Sequence, residues 1–579
     1  MHATMTTPIQ PAIETIDASG DRRGKSENHI ELRVQLPLSN VQPEQTRKHI
    51  RGSSLLLLGR FLALATHLCT QVLLVRALSK SDYGAFAYAL SLISLGKSFA
   101  AFGLDKAITR FVPIYQEQQD YGRMFGTIVL MVSTVLSLGV AVVLVVYGLR
   151  EWIDQDVVND QNAMALLLIL IILSPVQALE SLITGMFAIL ASPREIFFRK
   201  HLLGPQLQLI VVVLVFFLGQ RNAYFLAGGY VASGTLGIVI YAAILLRVLR
   251  KQGLLGHFRR AALKIPSREI FFFAIPLLIS DVVFVLRNSL IVVFLEHFKN
   301  TAEVANFRAV LPVARLNGVV YQTFMVLFMP VASRMLARNE RDGINNLYWQ
   351  TAIWIAVISF PIFALSFGLA KPLTVLLFGE RYAQSAVILM LLSMGYYFNA
   401  ILGFNGLSLR VFGKVRYMFT ADFLLAIITV GASWLFIPRY GALGAAIVAG
   451  GTLILQNVLY QIGLVYGTDI KWVSRSHVKV YVIIALSTAS LLLLPQVYGS
   501  LAGVLLISVL VFWLNRESLK IGQTFPELLR LPLARRILGG QRERASLTGK
   551  QQTANKKDRS FRGSTVILEH LRENAARES

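Results

Sequence analysis

Between Ser53 and Leu514 the sequence is a succession of about fourteen apolar runs, each near the ~20 residues a helix needs to cross a bilayer. In hydrocarbon every backbone N–H and C=O must find an internal partner, so runs of this length are compatible with helices and little else. Hydrophobic residues make up 55% of the chain and charged residues 15%, which excludes an ordinary soluble domain. The expected fold class is therefore an all-α polytopic membrane protein of about fourteen transmembrane helices.

Charge in the links sets the expected orientation. The net charge of +24 points to nucleic acid only until its distribution is considered. Alternate links are basic, as with Arg194, Arg199 and Lys200, or Arg247, Lys251 and Arg268, whereas the intervening ones hold isolated cations such as Lys299 and Arg381. That pattern fits an anionic cytoplasmic leaflet, excludes a nucleic-acid partner, and places both termini of a multi-pass cell-membrane protein in the cytoplasm. The most basic link separates two sets of six runs. The expected organisation is a disordered arm (1–51), a first lobe (52–249), a basic linker (250–268), a second lobe (269–466), two further helices (467–515) and a basic tail (516–579). Residues 1–51 lack the apolar core of a signal peptide. The tail carries fourteen Lys/Arg against seven Asp/Glu, about +7, and is expected to meet acidic membrane lipids, with Phe525–Leu538 lying along the surface. A weak internal echo supports two lobes: Asp82-Tyr83-Gly84-Ala85-Phe86 runs to Phe111-Val112-Pro113, and Glu303-Val304-Ala305-Asn306-Phe307 runs to Phe328-Met329-Pro330.

Ionisable residues inside these runs are the chemistry to explain. The stretch Phe271–Pro330, two apolar segments around the polar link Glu296–Glu303, carries Asp281, Arg287, Arg308 and Arg315. A charge near mid-bilayer costs about 2.5–3.5 kcal/mol even on the gentlest scale, so it should face a partner or a wet cavity. Arg308 and Arg315 are seven apart and share one helix face. With Arg60, Lys97 and Arg287 they form a cationic set suited to an anionic head group such as a diphosphate, because guanidinium is a permanently charged fork of donors. The competing reading is snorkelling to an interface, strongest for Arg60 and Arg308 near the ends of their runs. His67, Glu180, Asp281 and Asp422 are candidates for ion or proton coupling. Each has a plainer role, the histidine as a bonded core residue and the carboxylates as counter-charges to arginine.

Catalysis finds little support. There is no nucleotide-binding loop or hydrolase motif, and Asp154-Gln155-Asp156 sits in a short acidic link without a helper histidine. The single cysteine, Cys69, permits no intrachain disulfide and no zinc cluster. No cofactor, no metal and no enzymatic activity are expected. Gly441, Ala445 and Ala449 form a small-residue seam suited to close helix packing.

Three short segments resemble a known family. They are Leu74-Val75-Arg76-Ala77-Leu78-Ser79-Lys80-Ser81-Asp82-Tyr83-Gly84-Ala85-Phe86, Leu376-Leu377-Phe378-Gly379-Glu380-Arg381-Tyr382 and Ile437-Pro438-Arg439-Tyr440-Gly441-Ala442-Leu443-Gly444-Ala445-Ala446. All three are similar to turns of the Wzx-type polysaccharide biosynthesis flippases of the multidrug/oligosaccharidyl-lipid/polysaccharide (MOP) superfamily. The resemblance implies two six-helix, MATE-like lobes, with spans thirteen and fourteen appended, and alternating access. It also implies an undecaprenyl-diphosphate-linked oligosaccharide as cargo, with polymerase and glycosyltransferase machinery as partners. The family's cationic cavity matches Arg60, Lys97, Arg287, Arg308 and Arg315 in location only. Two alternatives stand beside it. A cation-coupled multidrug exporter should have acids in its cavity, and a membrane glycan polymerase or ligase needs a sizeable external loop.

Overall fold

The computed structural model describes residues 43–519, apart from 157, 159, 192, 218–221, 259–262, 469, 473 and 474. Most of the expected N-terminal arm, linker positions 259–262 and the tail from residue 520, including Phe525–Leu538, lie outside the described residues, as do the side chains of Asp154 and Asp156. The chain divides into two units, 1–51 and 52–579, and everything below concerns the second.

The described residues form helices and turns without a strand, the all-α fold class that the apolar runs dictate. Ten helices are long and apolar enough to cross a membrane, or eleven if the bent pair in Thr301–Ala337 counts as one span. Helix Val415–Gly467 folds back at Gly441 (φ 56°, ψ −132°), so that Tyr417 OH donates to the Leu459 carbonyl at 2.6 Å. Three further apolar helices, Gln161–Leu170, His477–Leu492 and Tyr498–Leu514, are shorter than these spans.

Sequence punctuation explains the breaks. Pro175 lies in the first turn of Leu173–Leu190, just after the bend that separates it from Gln161–Leu170. Pro205 opens Gly204–Phe217 directly after a π-helical turn at Phe197–Leu203. Pro312 cannot donate to the Arg308 carbonyl, and helix Thr301–Arg315 passes into a 3-10 turn at Leu316–Gly318.

The two echo segments begin twin helices. Ser79 caps Lys80–Ala101 by accepting from the Asp82 N–H at 3.0 Å, and Asn300 caps Thr301–Arg315 by accepting from the Glu303 N–H at 2.9 Å. These helices pack on each other through small residues. Ala85 and Ala89 on one, and Ala305 and Ala309 on the other, are fully buried. Gly84 lies so close that an added Cβ would stand 1.7 Å from the Thr301 carbonyl oxygen. Lipid tails are as apolar as leucine, so helix association in a bilayer depends on such close packing rather than on the hydrophobic effect.

One buried cluster joins both halves of the chain around these helices, from Phe86 and Ile93 to Val304 and Ala445. A second cluster joins Ile270 and Ala274 to the first half, whereas that around Phe360 and Tyr397 lies within the second. Links expected on one membrane side meet each other. Thr301 Oγ1 donates to Asp160 Oδ2 at 2.7 Å, and the Ala442 N–H donates to Glu303 Oε2 at 2.7 Å. At the opposite end the Lys264 N–H donates to the Gly122 carbonyl at 3.2 Å, and the Lys471 N–H to Asn345 Oδ1 at 3.0 Å.

Candidate functional site

The four arginines of the cationic set all end on neutral groups. Arg308 Nη2 donates to Ser91 Oγ across the halves, and its Nε is buried without a hydrogen-bond partner. Arg315, on the same helix face, donates from Nε to Tyr396 OH at 3.1 Å. Arg287, 8% exposed, donates from Nη2 to Gln456 Oε1 at 3.3 Å. Arg60 donates from Nη1 to the Gln322 carbonyl at 3.1 Å and from Nη2 to Gln322 Oε1. Among the described residues no carboxylate forms an ion pair with any of the four. Arg287 is buried and has the carboxylate of Asp422 beyond Gln456, Arg60 and Arg308 are half-buried, and Arg315 is exposed. A guanidinium withdrawn from water with only neutral acceptors is a costly arrangement that favours an anionic visitor.

The fifth cation, Lys97, lies in the first half with two coupling candidates. His67, Lys97 and Glu180 line one cavity of about 440 Å³, together with Gln71, Gln177 and Lys200. Helical spacing explains the convergence: His67 and Gln71 are one turn apart on Pro43–Ala77, and Gln177 and Glu180 share a face of Leu173–Leu190. Gln71 Nε2 donates to Tyr83 OH at 2.5 Å, which orients its amide.

Asp281, Arg287 and Asp422 line a second cavity of about 150 Å³ with Lys106 and Arg410. Asp281 pairs with Lys106, a lysine from the other half rather than an arginine. Asp422 accepts from Tyr460 OH at 2.8 and 2.9 Å and from Gln456 Nε2 at 2.7 Å. Gln456 thus relays between Arg287 and Asp422, neutral itself and bonded to both.

The structure relocates two cations read from the sequence as link residues. Helix Pro193–Ile196 begins early and continues through the π-helical turn, carrying Arg199 into the fold and Lys200, still exposed, to the rim of the first-half cavity. Arg199 is 2% exposed and lies over the rings of Phe187 at 5.0 Å and Tyr241 at 4.7 Å. Its Nη2 donates to Thr184 Oγ1 at 2.6 Å, while Nε and Nη1 have no partner. Pro193 at the first helical position was the available signal, since proline there is preset for a helix start. π-Helical turns of this kind often mark functional sites.

Residues 50–336 match the family described as polysaccharide biosynthesis protein. The chain is 23% identical over 435 residues to an uncharacterized membrane protein of Methanocaldococcus jannaschii, covering 69% of this chain and 80% of that one. It is 26% identical over 180 residues to the capsular polysaccharide biosynthesis protein CapF of Staphylococcus aureus, covering 31% of this chain and 46% of the relative, less than half its length. Among solved structures it is similar to the lipid II flippase MurJ in an inward closed conformation, with TM-score 0.62, 15% identity, and coverage of 82% of this chain and 99% of that one. It is also similar to an inward-facing multidrug resistance MATE transporter of the MOP superfamily, with TM-score 0.55, 15% identity, and coverage of 70% and 93%. The two solved structures are those of a flippase and a transporter. The 50–336 segment thus matches the polysaccharide biosynthesis protein family, and the chain shares the all-helical fold of the solved flippase and transporter.

Proposed function

We propose that the protein moves an undecaprenyl-diphosphate-linked oligosaccharide from the cytoplasmic to the outer leaflet of the cell membrane by alternating access. The observation that carries this reading is the set of four guanidiniums, Arg60, Arg287, Arg308 and Arg315, bonded only to neutral partners. Arg308 and Arg315 hold the diphosphate; both stand on the helix whose packing joins the two halves. Each unpaired sugar hydroxyl costs about 2–7 kcal/mol in hydrocarbon, so the glycan needs a polar route while the lipid tail stays in the bilayer. The 52–249 and 269–466 segments act as the two moving lobes, and both termini face the cytoplasm, where synthesis machinery delivers cargo. A cysteine at Lys251 should therefore stay unlabelled by impermeant reagent in intact cells; labelling would reverse the orientation.

The multidrug-exporter reading fits less well, because organic cations would meet arginines bonded only to neutral groups. The polymerase or ligase reading lacks a large link to hold catalytic groups. Complementation of a flippase-deficient strain tests the proposal. Arg308→Ala and Arg315→Ala should abolish growth at normal membrane abundance, with partial rescue by lysine, which keeps the charge but loses the fork. Full complementation by both alanine variants would refute the head-group assignment.

A further inference from the structure

The first-half cavity differs in kind from the arginine set. Its volume of about 440 Å³ falls in the ~300–1,000 Å³ range of small-molecule sites. Its polar lining is dominated by groups that both donate and accept. Gln71, Gln177 and Gln208 each present an amide, the inventory suited to hydroxyls and ring oxygens. Two lysines, Lys97 and Lys200, share the lining with one carboxylate, Glu180, and buried Arg199 stands behind it, so the cavity is net positive when all are ionised.

That balance discriminates among anions. A diphosphate favours the planar donor fork of arginine, and none lines this cavity. Its multiple negative charges would also lie against Glu180. One carboxylate on a sugar can be met by Lys97 or Lys200, and Glu180 can accept hydrogen bonds from neighbouring hydroxyls. The lining is held from behind: Thr184 Oγ1 donates to the Glu180 carbonyl at 2.6 Å and accepts from buried Arg199 at 2.6 Å.

We propose that this cavity is a glycan subsite that selects a sugar bearing one carboxylate, of the uronic acid class, over its neutral counterpart. The inference rests on the carrier reading above. The shared chemistry, an anion met by lysine, could come from a sugar acid or from the lipid diphosphate, and the experiment separates the two sources.

The full chain in nanodiscs is titrated with a glucuronate-containing disaccharide, the matching neutral disaccharide, and farnesyl diphosphate. The acidic disaccharide should bind at least about tenfold tighter than the neutral one, the factor one charge-assisted hydrogen bond supplies. Lys97→Gln and Lys200→Gln should remove that preference while farnesyl diphosphate still binds, which also shows that the variants are folded. Lys97→Arg should retain it. Equal binding of the two disaccharides by the native protein, or an intact preference in both glutamine variants, would overturn the subsite. Displacement of the acidic disaccharide by inorganic pyrophosphate would overturn it too, making the cavity the diphosphate seat. Selective binding of the acidic disaccharide without any farnesyl diphosphate binding would support the subsite and refute the carrier reading.

Discussion

Arg76 and Arg381 cap each other's helices. Arg76, in the last turn of Pro43–Ala77, donates from Nε to the Leu377 carbonyl at 2.8 Å and from Nη2 to Leu376 at 2.5 Å, at the end of Ala370–Phe378. Arg381 returns the bond, donating from Nη2 to the carbonyls of Val75 and Arg76, the latter at 3.4 Å. The last carbonyls of a helix have no partner within it and carry partial negative charge, so a guanidinium satisfies both deficits. Because the two arginines come from opposite halves of the chain, the pair is a latch that the proposed alternating access would have to release.

Loosening that latch should expose buried residues beside it. In a Cys69→Ser background, Leu78→Cys reports on this end, since Leu78 is 1% exposed. Adding Arg76→Ala or Arg381→Ala should speed thiol labelling of the purified protein by about 5–30-fold, as expected for losing ~1–2 kcal/mol of charge-assisted bonding. Unchanged labelling in both variants would mean that the halves are held together elsewhere.

Gly84 should tolerate no side chain. A Cβ there stands 1.7 Å from the Thr301 carbonyl oxygen, so Gly84→Ala must push two buried helices apart. Overpacking of this kind costs about 1–3 kcal/mol, and the melting temperature in detergent should fall by several degrees. Gly431→Ala meets nothing within 4 Å and serves as the control, neutral or slightly stabilising through better helix propensity. Equal melting temperatures for the two variants would contradict the close packing.

The Lys106–Asp281 pair should depend on complementarity rather than on either residue alone. Both side chains are partly exposed, at 46% and 31%, so the pair contributes only about 0.2–1 kcal/mol. Lys106→Asp or Asp281→Lys replaces attraction with repulsion of about 1–4 kcal/mol, depending on screening. The double swap should recover most of the lost thermal stability, and a double variant no better than the worse single would exclude the pairing.

The bilayer made much of this architecture legible. Its thickness imposes run length, its surface charge imposes alternation in the links, and the echo segments at Asp82 and Glu303 begin the helices that pack together. The resembling turns were legible as signatures but not as parts: Arg76, Arg381 and Gly441 turn out to hold one end of the molecule together. The grouping of charges was less readable. Spacing places Arg308 and Arg315 on one helix face, yet nothing in spacing says that Ser91 and Tyr396 stand opposite. The same limit hid the placing of Lys97 in a cavity that no arginine lines, the neutral relay Gln456, and the burial of Arg199 in a segment whose charge resembled a link.

Guanidiniums bonded only to neutral groups should make the protein a binder of anionic head groups. A paired titration of the purified protein in nanodiscs, with farnesyl diphosphate and with ethidium at two ionic strengths, checks this. Diphosphate binding should be saturable, weaken as salt rises and be lost in Arg308→Ala with Arg315→Ala, and ethidium binding should not saturate. Saturable ethidium binding without measurable diphosphate binding would refute the head-group reading and favour a drug exporter.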